Sequence, residues 1–499
     1  MKEIEKMEVA IIGAGFAGIG AAIKLKEAGI EAIKIFERKK ELGGTWRDNT
    51  YPGCACDIPS FLYSYSFEPN PEWSESFSPH NEILAYLKNC ASKYDLYKHI
   101  QFETAVVSAT FIDDNGYWEI LDNNNKYYHA RSVISCSGPL NEPVYPDIEN
   151  KEAFEGELFH SLNWNHQYDL KNKRVAVIGT GASAIQFVPE IAPKVSQLTV
   201  FQRTAPWISP KNNQAIDEIS KNRFRKFPAY QKFWREFIYW FLEFQGLSQY
   251  KDNKIRAWRK KVTIEHRTSQ IKDTDLLKKT TPNYEIGCKR ILISDNYYPT
   301  LERKNVNLET TSIKRFTKTG VELNDGQLLD FDVVIFGTGF KATTFGHIYD
   351  VIGLENRNLF KEWDITGAEA FKGINVSGFP NFMLVVGPNT GLGHNSIIHM
   401  MESQYNYIVD YLLKLKKQPD NYFNIKPEVQ KEYNNNLHKK LEPMIWNKGG
   451  CNSYYLIDGK GKNTSIWPGS TMSYRKQTKR INKTDYDIVS IETTKKELI

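Results

Sequence analysis

The chain is short of cysteine, of one-sided charge and of long apolar stretches, and each shortage removes a class of protein. Its six cysteines are scattered over 499 residues, at Cys54, Cys56, Cys90, Cys136, Cys288 and Cys451. They are too few and too dispersed for a disulfide framework, and a reducing cytoplasm is the expected compartment. Lys and Arg number 65 and Asp and Glu 59, a net charge of +6 with the signs mixed along the chain. That is not the clustered basic footprint of a nucleic-acid binder. No uninterrupted apolar run approaches the roughly 18 residues of a membrane span. Residues 1–7 are charged and run straight into a strand-like segment, so no signal peptide is expected. What remains, 41% hydrophobic and 25% charged, is the composition of a globular enzyme and not of a disordered chain. At about 150 residues per domain the length allows roughly three compact units.

Val9-Ala10-Ile11-Ile12 is an apolar run without alternation, as expected of a strand buried on both faces of a parallel sheet. Gly13-Ala14-Gly15-Phe16-Ala17-Gly18 follows it. A helical pattern then runs through Ala21, Ala22, Ile23 and Leu25 to Gly29, and a second strand ends at Glu37. A lone G-x-G-x-x-G is weak, with chance supplying on the order of 0.1 per chain. Placed between strand and helix, with an acid at the end of the next strand, it predicts a dinucleotide-binding βαβ unit. Gly13 permits the tight turn, Gly15 lets the backbone approach a pyrophosphate, and Gly18 packs helix on strand, while Glu37 would accept from ribose hydroxyls.

The layout recurs. Val175-Ala176-Val177-Ile178 leads into Gly179-Thr180-Gly181-Ala182-Ser183-Ala184, then a helical pattern, then a strand ending at Gln202-Arg203. Alanine in the third glycine's place asks for a slightly wider helix–strand approach. Gly13 to Glu37 is 24 positions, and so is Gly179 to Arg203. An acid reads two hydroxyls, whereas an arginine pairs with a 2′-phosphate. The second unit is therefore expected to take NADPH, with Arg203 assisted by Gln202 and Thr204. Each unit is followed by a predicted meander. Three short strands lie between Thr104 and His129, and others from Ser312 onward turn at Asn324-Asp325-Gly326. Closing strands end at Ser137-Gly138 and at Gly337-Thr338-Gly339. The predicted class is α/β, with two Rossmann-like domains, small β-meanders and a helical insertion.

The insertion, about residues 212–279, carries Phe233, Trp234, Phe237, Trp240, Phe241 and Phe244 among many charges. It is expected to be partly buried and partly to line a cavity, with a membrane-surface helix as the alternative. A helix is expected over residues 400–416 and a loose tail from about residue 476.

Further segments carry a resemblance. Leu42-Gly43-Gly44-Thr45-Trp46 and Tyr51-Pro52-Gly53-Cys54-Ala55-Cys56-Asp57 follow Glu37. Phe154, Gly156, His160 and Trp164 form an F-x-G-x-x-x-H-x-x-x-W signature between the two units. Gly287-Cys288-Lys289-Arg290, Asp295-Asn296-Tyr297-Tyr298 and Gly387-Pro388-Asn389-Thr390-Gly391 come later. In these segments the chain resembles class B flavin-dependent monooxygenases, and among them the Baeyer–Villiger monooxygenases, from about Val9 to Arg475. It departs at Asn165, where the signature ordinarily closes in Pro or Asp. Relatives that oxygenate sulfur or nitrogen usually carry Tyr or Phe in place of the tryptophan, so Trp164 favours the Baeyer–Villiger branch.

The resemblance implies FAD in the first unit, held by residues including Gly44, Thr45, Trp46 and Asp57. It implies NADPH in the second, with Gly179, Gly181, Ser183, Arg203, Thr204 and Lys289. The FAD domain would be discontinuous, residues 1–145 and 340–499, with the NADP domain at 146–339. The implied reaction consumes NADPH and O2 and converts a ketone to an ester or lactone through a flavin C4a-peroxide. Oxygenation of sulfur or nitrogen in small apolar substrates is the alternative. Arg290 is implied beside the flavin, paired with Asp57. A permanently charged guanidinium suits a site where negative charge gathers on oxygen. His160 and Trp164, four apart as on one helical turn, are expected in a linker that senses domain movement. Cys54 and Cys56, one residue apart, lack the spacing of a redox pair, and no histidine cluster accompanies them for a metal. Neither a nucleic-acid partner nor a membrane span is expected.

Overall fold

Residues Val9 to Ile12 are all buried, as a strand covered on both faces must be. They end the strand Glu5–Ile12 at the centre of the larger of two main sheets. In this computed structural model the described residues are 4–250, 253–344 and 348–491.

Glu5–Ile12 pairs in parallel with Ile33–Phe36 on one side and Tyr127–Ser135 on the other, Val9 opposing both Ile33 and Ser132. The helix Phe16–Glu27 connects the first two strands and is buried along most of its length. The second main sheet repeats this plan. Arg174–Ile178 lies between Gln197–Phe201 and Val333–Phe336, with Val175 opposing Leu198 and Val333. Glu157–His160 and Val306–Glu309 complete a five-stranded, all-parallel sheet. The α/β class with two Rossmann-like units is thus the observed one.

The meanders differ. In the first half the strand predicted before His129 and the closing strand are one continuous strand, Tyr127–Ser135. Its first residues alternate in exposure and its last four are all buried, so one chain serves meander and core in turn. In the second half Ile313–Phe316, Gly320–Leu323 and Leu328–Asp330 form a separate antiparallel sheet.

Two segments cross between the halves and pair with each other. Val144 N–H donates to Gly339 O at 2.9 Å and Lys341 N–H to Glu142 O at 3.0 Å. His160 lies at this crossing, its ring 5.6 Å from that of Tyr145 and 5.8 Å from that of Phe340. The spacing to Trp164 is not a helical turn. His160 ends a strand, residues Ser161–Asn163 form a 3-10 turn, and Trp164 packs on Phe159 and Phe187. Spacing of four is shared by a helical turn and by a strand end followed by a tight turn, and only tertiary packing separates them.

The insertion is helical as expected, in Glu218–Lys226, Pro228–Gly246, Lys254–Gln270 and Thr274–Lys279. Asp217, Asn253 and Asp273 cap three of these by accepting from backbone N–H groups of the first turn. The helix expected over 400–416 begins slightly earlier, at Ile397–Lys416. The expected loose tail is ordered through Ile491. Thr471–Gln477 is a helix, and Tyr486–Ser490 pairs antiparallel with Asn421–Ile425. Buried Tyr486 donates to Asn375 Oδ1 at 2.9 Å, an anchor that the Lys- and Thr-rich composition around it conceals. Residues 492–499 lie outside the described part.

Candidate active site

One cavity of about 1120 Å³ runs along the seam of the two sheets and takes its walls from both glycine turns. Gly13 and Gly15 line it, with Glu37, Gly44, Thr45, Trp46 and Asp57. From the second half come Gly179, Gly181, Ser183, Arg203 and Thr204, and then Lys289 and Arg290. Gly18 stands behind the wall. A Cβ there would lie 1.9 Å from the Gly13 carbonyl oxygen, so its role is the close contact of helix and strand. The signature residues Phe154, Gly156, His160 and Trp164 do not reach the cavity.

The Gly13 turn requires glycine twice over. Its φ is +105°, and a Cβ would meet Cys136 O at 2.6 Å. Beyond it Glu37 is 5% exposed and firmly held. Its Oε2 accepts from Ala14 N–H at 3.0 Å, and its Oε1 from Lys39 N–H and from Arg47 Nη1, each at 2.9 Å. Arg47 went unread in the sequence. It follows the Gly44-Thr45-Trp46 motif directly, and only the fold shows that it returns to Glu37.

The second half presents cations. Neither Arg203 nor Lys289 has an acidic partner among the described residues, although they stand near one another. Burial first, and the charge of Arg203 second, pull the Lys289 ammonium below its ordinary value. Two cations held together at a cavity wall suit an anion such as a phosphate ester. Gln202 also lines the cavity, and its amide donates to Lys279 O at 2.8 Å.

Arg290 and Asp57 are 233 positions apart and meet in one ion pair. Arg290 Nε–H donates to Asp57 Oδ2 at 2.7 Å, with both side chains about a quarter to a third exposed. The Asp57 charge first of all raises the Arg290 guanidinium further above its ordinary range, against burial. Tyr454 and Tyr455 also line the cavity and add to the field at Arg290. They have no motif around them and were not expected.

The loops bearing Arg290 and these tyrosines are joined covalently. Cys288 and Cys451 form a disulfide across 163 positions, with Cα atoms 6.2 Å apart. The sequence predicts no disulfide framework, and this one bridge was not foreseen, because spacing along the chain says nothing about which loops the fold brings together. Cys54 and Cys56 are free and buried. Burial pushes the Cys54 thiol up to about 12, which makes it inert packing.

A correction concerns the insertion, none of whose four helices lines the cavity. Its contact with the site is indirect. Glu243 accepts from Asn395 Nδ2 at 2.8 Å, and Asn395 is in the cavity wall. Across the seam Gln186 ties the halves, donating to Ala55 O at 3.0 Å and accepting from Tyr51 OH at 3.0 Å.

The family model described as flavin-binding monooxygenase-like matches residues 6–362. A Baeyer–Villiger monooxygenase of Pseudomonas aeruginosa is 44% identical, over 97% of this chain and 92% of that protein. Another, of Streptomyces coelicolor, is 41% identical over 97% and 93%. Among solved structures, an oxidized steroid monooxygenase bound to NADP superposes with a TM-score of 0.85 at 27% identity, over 97% of this chain and all of that one. The OTEMO complex with FAD and NADP gives 0.86 at 26% identity, over 98% of this chain and all of that one.

Proposed function

The chain belongs to the flavin-binding monooxygenase-like family, and on that premise we propose that it inserts one oxygen atom of O2 beside a ketone carbonyl, giving an ester or lactone. It is a flavoprotein monooxygenase of the Baeyer–Villiger type that uses FAD and NADPH. Residues 1–145 and 340–499 serve FAD in this reading, and residues 146–339 serve NADPH. The observation that carries it is the Arg290–Asp57 pair in a cavity that also holds both glycine turns.

The residues present fit both nucleotides. The Gly13 and Gly179 turns have no room for a Cβ, which leaves backbone N–H groups open to phosphates. Glu37, oriented by Arg47, receives the ribose hydroxyls of FAD. Arg203 and Lys289 take the 2′-phosphate of NADPH and so favour NADPH over NADH. Bound and reduced, FAD supplies the electrons that activate O2, one oxygen atom going to product and the other to water. Asp57 occupies Arg290 Nε–H and fixes the plane of the guanidinium. The remaining N–H groups donate to oxygen where negative charge collects during attack on the carbonyl. Arginine keeps its proton throughout, as lysine in such a site need not. His160 and the paired crossing segments carry any rotation of one half against the other.

Arg290→Ala tests the reading. NADPH should still bleach the flavin under anaerobic conditions, while ester formation after O2 is admitted falls by about a hundredfold or more. Asp57→Ala should give a smaller fall in the same step. Ester formation at the parental rate in Arg290→Ala would remove the pair from the reaction. A substrate carrying both a ketone and a thioether, oxidised at sulfur alone, would move the assignment to heteroatom oxygenation.

A further inference from the structure

The helix Pro228–Gly246 turns a row of aromatic side chains outward. Phe233, Phe237, Trp240 and Phe244 recur along one stripe at helical spacing, with Trp234 and Phe241 beside them. All six are 37–60% exposed. Leu247 and, on the adjoining helix Lys254–Gln270, Trp258 are each 47% exposed and extend the apolar surface.

The face turned to the protein packs Ile238, Tyr239 and Leu242 against the core and is fixed there by polar bonds. Gln231 and Arg235 are 5% and 6% exposed. Gln231 Nε2 donates to Asn70 O at 2.6 Å and Arg235 Nη1 to Phe61 O at 2.6 Å. Tyr239 OH meets Thr471 Oγ1 at 2.8 Å, and Glu243 accepts from Thr471 Oγ1 at 2.8 Å. Turning the helix to bury its aromatics would break every one of these bonds and expose a buried arginine's partners. The aromatic stripe is therefore locked outward. An exposed apolar surface of this kind on an ordered helix marks an interaction site.

Charge says what covers it. The even mixture of signs in the whole chain fails locally. Residues 221–261 hold twelve Lys and Arg against three Asp and Glu, and of these cations Lys221, Arg225, Lys260 and Lys261 pair with Glu218, Glu72, Glu285 and Glu265 from outside the segment. Arg223, Lys226, Lys232 and Lys254 are solvent-accessible on these helices and, among the described residues, have no acidic partner. A second copy meeting this face through a two-fold axis would set basic rim against basic rim. Aromatic residues at the centre with lysine and arginine at the edge match the boundary of an anionic bilayer, where aromatics enter the headgroup layer and cations meet phosphates. Among the described residues no helix is long and apolar enough to cross a membrane. We infer that the helix Pro228–Gly246 lies in the plane of an anionic lipid surface and docks the enzyme there reversibly. The stripe lies opposite the face that holds Asn395 of the cavity wall, so docking leaves the catalytic seam assembled.

Vesicle flotation of the full-length, FAD-loaded protein tests this. It should float with phosphatidylcholine vesicles containing phosphatidylglycerol and be released by about 0.5 M salt. Phe237→Ser/Trp240→Ser should float at least about tenfold less, and Lys226→Glu/Lys232→Glu should lose the salt-sensitive part. Unchanged flavin content in both variants shows that the fold is kept. The parent remaining unbound to anionic vesicles would overturn the proposal. So would equal binding to vesicles of phosphatidylcholine alone, which would remove the basic rim. A parent dimer in sedimentation velocity that Phe237→Ser/Trp240→Ser converts to monomer would assign the stripe to a second copy instead.

Discussion

Gly18 and Ala184 hold the same place in two copies of one motif, yet the methyl group that the second copy carries has no room in the first. A Cβ at Gly18 would sit 1.9 Å from the Gly13 carbonyl oxygen. In the second half room is made elsewhere. Gly337 ends the closing strand where the first half has Cys136, and a Cβ on Gly337 would come within 3.1 Å of the Ala184 methyl. The reading residues differ in the same spirit. Glu37 is buried and has three donors already in place, whereas Arg203 is exposed and, among the described residues, has no acidic partner. The meander of the first half is built into its main sheet, and that of the second is a separate sheet. The first half thus holds its acid in place before any ligand arrives, and the second leaves its arginine open. In the proposed reaction the first half would take FAD and the second NADPH.

The sharpest way to break this comparison is to exchange the third residue of each motif. Gly18→Ala must displace backbone, and it should cost about 3 kcal/mol or more and yield protein that holds little flavin. Ala184→Gly adds only chain freedom near a helix start, about 0.5–1 kcal/mol. Urea unfolding and the flavin-to-protein absorbance ratio measure both. Equal losses from the two substitutions would show that the halves are packed alike.

The next effect is on binding alone. Arg203→Ala should raise the NADPH Michaelis constant by about ten- to a hundredfold with little change in kcat, equivalent to roughly 1.4–2.8 kcal/mol. Lys289→Ala should do the same, and the double variant should lose less than the two summed, because both groups meet one phosphate. NADH kinetics should be unaffected by either. A parallel loss with NADH would assign these cations to the fold and not to the phosphate.

Local chemistry was legible where a motif is local. The two glycine turns, the strands before them, and the acid and arginine 24 positions on could all be placed from the chain itself. The Arg290–Asp57 pair could not, since 233 positions separate its members, and only resemblance joined them before the fold did. Nothing local announced Arg47, Tyr454 or Tyr455 either, or the Cys288–Cys451 disulfide. Each is a contact made by tertiary structure between segments that carry no pattern of their own. The aromatic helix failed for another reason. Its periodicity was plain, but periodicity identifies an apolar face without saying whether protein or something outside covers it. Gln231 and Arg235, which decide that question, read as ordinary surface residues until their backbone partners are known.

The smallest expected effect concerns the joint between the halves. His160 is fully buried at the crossing, and its Nδ1 accepts from Leu162 N–H at 3.1 Å. Burial pushes its imidazole down from the usual 6.5 to about 4. The unfolded chain therefore takes up a proton near pH 6.5 that the folded protein refuses until about pH 4. Stability from this group is complete above about pH 6.5 and drains away as pH falls toward 4, at no more than about 1.4 kcal/mol per pH unit. His399 is pushed down to about 3, by burial first and by the Arg235 charge next, and it adds a slope of the same sign. In His160→Asn the amide oxygen can take over the Leu162 bond, and no proton is involved. Urea midpoints across pH 7.5 to 4.5 should then fall less steeply than in the parent, with His399, His99 and paired carboxylates such as Glu243 and Glu369 supplying the slope that remains. If the two proteins lose stability in parallel, His160 is not a titrating element of the joint, and acid sensitivity lies wholly elsewhere.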